Sequence, residues 1–270
     1  MNNPKTRIIL SVAILLALAA ARLTLAADAS ATAHANKGVQ LSQQGALDQA
    51  VVEFNEAIKI DPKDVRFYRD RGGVYLTMKR FQEAVTDFAK VVELAPKDYT
   101  GYSLRGAAES ELQQLDQAMA DLNKALELKA NDPQTLERRG LVYYRQKNYQ
   151  AALDDYNNAL AQNANSALGL SRRADAFVAL GQFDKALPDL EALVKAHPDD
   201  PSAQDRLNYV KQRIAAANAP KPTIAVNTAP APTPAPEPMD PRIKIGIGAG
   251  ALLILIIIIV LVSRRKSRGY

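Results

Sequence analysis

The stretch RGGVYLTMKRFQEAVTDFAKVVELAPKD, residues 71–98, decides the fold. Its apolar residues fall at Val74, Tyr75 and Met78, and again at Ala84, Phe88, Val91 and Val92. Steps of three and four mark the buried stripe of a helix, and the polar Lys79-Arg80 between the two runs marks a turn. Pro96 ends the second run, because proline has no N–H to give a helix and clashes with the preceding turn. The stretch therefore predicts two helices joined by a short turn. A single such pair cannot cover its own apolar faces, so it needs neighbours of the same kind.

Working outward, those neighbours are present. Gly38, Gly72, Gly106, Gly140 and Ala174 are spaced by 34, as are Ala50, Ala84, Ala118, Ala152 and Ala186. Phe54, Phe88, Leu122, Tyr156 and Leu190 keep the same interval, and so do Ala57, Val91, Ala125, Ala159 and Leu193. Pro62, Pro96 and Pro198 close the first, second and fifth units. Gly45 and Gly181 mark the turn inside the first and fifth. Five units, 31–64, 65–98, 99–132, 133–166 and 167–200, run without an insertion. The fold class is all-α, a superhelical solenoid of stacked helix pairs. Residues 201–217 add an end helix with Leu207, Val210 and Ile214 on its apolar side, Ser202 as its cap, and Asp205, Arg206, Lys211 and Arg213 facing water.

A charged pair travels with the repeat. Lys37, Arg71, Arg105, Arg139 and Arg173 precede the small residue of each unit, and Glu53, Asp87, Asp121, Asp155 and Asp189 follow 16 residues later. On antiparallel helices both positions reach one seam, and a half-buried arginine needs a partner there. The alternative is a ladder of free arginines for an anionic ligand. The co-occurring acid in all five units favours pairing.

The 34-residue period with these small, aromatic and proline positions resembles the tetratricopeptide repeat family. Two details depart from it. His34, Tyr68, Tyr102, Leu136 and Leu170 stand where the family has tryptophan, and Ala130 and Ala164 replace the closing proline. The resemblance implies a concave groove lined by the first helix of each unit, for a peptide or a partner's helix. The positions it places there are Arg66, Arg69, Thr100, Ser103, Gln134, Arg138, Tyr144, Arg145 and Arg172. The carboxylate clamp of chaperone-binding members needs asparagines where this chain has Val39, Gly73 and Ala107, so that ligand is disfavoured. The arginines still favour an acidic protein or peptide segment, against a reading as ordinary solvated helix residues.

The ends carry the positive charge. Residues 31–217 hold 24 Lys+Arg and 26 Asp+Glu, although the whole chain has a net charge of +5. Residues 1–29 read as a secretory signal peptide: Lys5 and Arg7, an apolar run Ile8–Ala21, then Ala27-Asp28-Ala29 before Ser30. Cleavage nearer Ala26 and an uncleaved anchor are the alternatives. Residues 218–241 contain eight prolines and read as an extended spacer. Residues 243–262 read as a membrane-spanning helix, since Ile245–Val262 lacks charge, and Arg264, Arg265, Lys266 and Arg268 in the tail 263–270 place that tail in the cytoplasm. Pro236-Glu237-Pro238 with the span and the arginines also resembles an exosortase-type sorting tail, from which the intervening MDPRIK departs. The solenoid is then expected on the exported, periplasmic or extracytoplasmic side. Gly246 and Gly250 suggest a homodimer through a G-x-x-x-G face.

Catalysis is not indicated. The chain has no cysteine, two distant histidines and none of the nucleotide, zinc-protease or serine-hydrolase motifs. No cofactor and no metal site are expected, and no nucleic-acid partner, because the folded region lacks a basic excess. The reading is a membrane-anchored scaffold for partner proteins, with an accessory or regulatory subunit of a membrane-bound enzyme complex as the alternative.

Overall fold

In the computed structural model, residues 29–219 are described. They form eleven helices and no strand. Helix α1 covers residues 29–43. The others are α2 (Leu47–Ile60), α3 (Val65–Thr77), α4 (Phe81–Leu94), α5 (Tyr99–Glu111), α6 (Leu115–Leu128), α7 (Pro133–Arg145), α8 (Tyr149–Gln162), α9 (Ala167–Ala179), α10 (Phe183–Ala196) and α11 (Pro201–Asn218). Each helix packs on the next, so the chain climbs as a solenoid of helix pairs.

The punctuation is local chemistry repeated at the period. Asp64, Asp98, Asp132, Ser166 and Asp200 cap α3, α5, α7, α9 and α11, each accepting a backbone N–H of the first turn. The cap of α11 is thus Asp200; Ser202, expected from sequence, is one of the residues it caps. The turn inside each unit requires a left-handed residue. Gly45 and Gly181 supply it at φ 79° and 70°, whereas Lys79, Gln113 and Lys147 adopt it at 58–62°.

The core follows the sequence pattern. Phe54, Phe88, Leu122, Tyr156 and Leu190 are all almost fully buried. Each packs under the small residue 16 positions earlier: a methyl added at Gly140 would lie 2.5 Å from the Tyr156 ring. Leu207 and Val210 close the last layer, with Ile214 against it. Expectations for residues 1–28 and 220–270, including the signal peptide, the spacer, the span and Gly246/Gly250, lie outside the described residues. Among the described residues no helix is long and apolar enough to cross a membrane.

Candidate partner-binding groove

The seam between helices of one unit is ionic, as the 16-residue spacing predicts. Arg71 donates to Asp87 through Nε and Nη2 at 2.8 and 2.6 Å, Arg139 to Asp155 at 2.8 and 2.7 Å, and Arg173 to Asp189 at 2.8 and 2.6 Å. Arg105 and Asp121 pair at 2.5 and 2.8 Å. In the first unit Glu53 accepts Lys37 at 2.6 Å and also contacts His34 at 2.7 Å. Such two-point pairs are stronger than point contacts and fix the angle between the helices.

Three of these arginines reach further. The remaining guanidinium nitrogen of Arg71 donates to Asn55 at 2.5 Å, that of Arg139 to Asn123 and that of Arg173 to Asn157 at 2.9 Å. Each asparagine belongs to the preceding unit, so the arginine clamps two repeats together. Arg105 lacks this third contact, because the matching position is Ala89.

A second ladder defines the inner face. First helices of successive units touch, α5 with α7 and α7 with α9, whereas among the described residues the second helices make no comparable contact with one another. The stack therefore curves with α5, α7 and α9 on the inside, and α3 holds the equivalent place in the second unit. Arg138 on α7 donates to Ser103 on α5 at 2.7 Å, and Ser103 also bonds Thr135 at 2.8 Å. Arg145 donates to Ser110, both carbonyl and hydroxyl, and to Glu111 at 2.7 Å. Arg172 donates to the carbonyl of Glu137 at 3.2 Å. Arg206 donates to Ser171 and, at 2.5 Å, to Asp175. The end helix thus docks by an arginine expected from sequence to face water.

The structure brings Ser103, Arg138, Arg145 and Arg172 into this ladder and leaves the others apart. Arg66 folds back on its own cap Asp64, and Arg69 lies 3.6 Å from Asp70. The hydroxyl of Thr100 is buried without a partner, Gln134 is exposed, and Tyr144 stacks edge-on to Tyr149 at 5.2 Å. Sequence reasoning missed the acceptors Ser110, Glu137 and Ser171, each 35 residues before its arginine. One period plus one residue was the signal that could have found them.

Arg138 and Arg172 donate only to neutral oxygens, and among the described residues neither makes an ion pair. Burial lowers the Arg138 guanidinium from its usual value; Asp132 and Glu137 partly offset this, and neighbouring Arg172 adds to it. Further along the inner face, a cleft of about 300 Å³ opens between α1 and α3. Val39, Ser42, Phe54 and Val74 line it, with Arg69 and Asp70 at its edge, and Gly73 leaves it open.

Comparison with known proteins agrees with this geometry. Models of the tetratricopeptide repeat match residues 38–79, 65–98, 109–147, 133–166 and 167–210. The chain belongs to the tetratricopeptide repeat family. This tetratricopeptide repeat protein is similar to solved structures that share the fold at low identity. A thermophilic family member from Thermus thermophilus is 22% identical, with a TM-score of 0.59 over 68% of this chain and 100% of that one. PilF of Pseudomonas aeruginosa is 17% identical, with a TM-score of 0.59 over 72% and 94%. YrrB, described as having an unusual peptide-binding site, is 21% identical, with a TM-score of 0.50 over 66% and 90%. A search of curated proteins finds no match.

Proposed function

We propose that the chain is a membrane-anchored scaffold that holds acidic segments of partner proteins on the inner face of its solenoid, on the exported side of the cell envelope. The observation that carries this is the pair Arg138 and Arg172: two partly buried cations on that face with only neutral acceptors. A carboxylate set between them would gain two charge-assisted bonds and relieve the repulsion between the guanidinium groups. The open cleft beside Arg69 extends the surface toward the first unit. A peptide site in YrrB is consistent with use of this fold for peptides. Anchoring rests on the sequence, on the uncharged run Ile245–Val262 and the basic residues that follow it.

The test is a panel of acidic, neutral and basic eight-residue peptides, with binding to the full-length chain in detergent measured by fluorescence anisotropy. Acidic peptides should bind best and weaken with salt, since exposed charges are screened over about 8–10 Å at ordinary ionic strength. Arg172→Gln should reduce binding about tenfold, in line with loss of one charged hydrogen bond. Equal binding of all peptides would refute the acidic-partner reading. Protease added to spheroplasts should digest the solenoid and spare a tag at residue 270; protection of both would refute the exported placement.

A further inference from the structure

The third repeat differs from its neighbours at several positions that bear on one another. At the eleventh residue of each unit stand Leu41, Tyr75, Glu109, Tyr143 and Phe177. Four are large and apolar; the third is a carboxylic acid, and it is buried with 8% of its surface exposed. Glu109 Oε2 has no hydrogen-bond partner, and the nearest cation, Arg105 Nε, stands 4.0 Å from Oε1. That arginine is already committed to Asp121. Among the described residues, the two buried side-chain atoms without a partner are Glu109 Oε2 and Thr100 Oγ1, both on α5. The buried apolar cluster that begins at Ala31 ends at Ala108, and the next comprises Ala118, Leu122 and Val142. Here, too, the asparagine that ties a unit to its predecessor is replaced by Ala89.

We propose that Glu109 makes the third repeat a proton-controlled joint, in which α5 sits firmly against α6 while the carboxyl is protonated and loosens when it ionises. A neutral acid can occupy a site its neighbours fill with aromatic rings, because it brings no charge into an apolar seam. An ionised one brings an unbonded charge beside Asp121. Of the elements packed on α5, α6 contributes Asp121, α5 itself contributes Arg105, and α7 brings Arg145, which is committed to Ser110 and Glu111 on α5. Burial, then Asp121, pushes the Glu109 carboxyl up to about 7, against partial relief by Arg105. The value is raised above that of the unfolded chain. Seating is therefore complete below the unfolded value near 4.5 and is lost as pH rises through the folded one. Ser103 and Ser110 on α5 accept Arg138 and Arg145. Loosening α5 therefore also releases two arginines of the inner face.

The experiment is hydrogen exchange by mass spectrometry on the full-length chain in detergent at pH 5, 6, 7 and 8, corrected for intrinsic rates. Protection of α5, relative to α3 and α9, should fall by up to about tenfold per pH unit between roughly pH 5 and 7 and then level off. In Glu109→Gln that slope should vanish. Glu109→Tyr, which installs the residue type of the second and fourth units, should vanish likewise and decides the matter if the glutamine variant fails to fold. A flat wild-type profile, or a slope that survives in the substituted chain, overturns the proposal.

Discussion

Removing Arg139 tests whether the ionic seam holds the solenoid together. Its side chain is 23% exposed and that of Asp155 is 5% exposed, with two bonds of 2.7–2.8 Å between them and a third to Asn123. Arg139→Ala leaves Asp155 as a buried carboxylate without its cation. Loss of one partner of a fully buried pair costs about 3–5 kcal/mol, and exposure of the arginine lowers that to about 2–3 kcal/mol. Asp155→Ala costs less, about 1–2 kcal/mol, because Arg139 keeps Asn123 and reaches water. The double variant should therefore cost about 1–2 kcal/mol less than the sum, since the second substitution removes a group already orphaned. The assay is urea unfolding of the full-length chain in detergent followed by circular dichroism. Midpoint and slope are read together, because solenoids unfold as coupled neighbours and a changed slope signals lost cooperativity. Additivity within about 0.3–0.5 kcal/mol would mean that the two side chains share no interaction.

Two further substitutions probe the same architecture. Gly140→Ala should destabilise by about 1–3 kcal/mol in thermal melts, because the new methyl meets the buried Tyr156 ring, whereas Gly73→Ala, with nothing within 4 Å, should be neutral or stabilising. Ala89→Asn should give Arg105 the contact its counterparts have and raise stability by about 0.5–1.5 kcal/mol, seen as a higher melting temperature; no gain would mean that the asparagines of the other units are incidental.

The fold was legible because each level of the repeat carries the same period. The spacing of Gly72, Ala84 and Phe88 reports a helix pair, and the 16-residue offset of Arg71 and Asp87 reports which helices face each other. These relations are fixed within one unit, where geometry is set by short turns. The inner-face bonds were not legible to the same degree. Arg138 to Ser103 and Arg206 to Ser171 join different units, and their reach depends on how tightly the stack curves. Solenoid curvature sums small rotations per repeat, which residue type does not report directly. For that reason the sequence alone places Arg206 in water, whereas it bonds Ser171 and Asp175. Ser202 lost the cap of α11 to Asp200 because Pro201, with its fixed φ and no N–H, suits the first helical position and leaves the cap to the residue before it.

Docking of partners on the inner face, as proposed above, is open to direct test. The most direct measurement is site-specific photo-crosslinking in native membranes from the full-length chain. A photoreactive residue is placed at Gly73 or Gln134 on the inner helices, or at Lys90 or Lys124 on the outer ones. Inner-face docking should give discrete adducts from the two inner positions, diminished by Arg138→Gln and Arg172→Gln, and none from the outer pair. Adducts of equal yield from Lys90 and Lys124, insensitive to those substitutions, would contradict it.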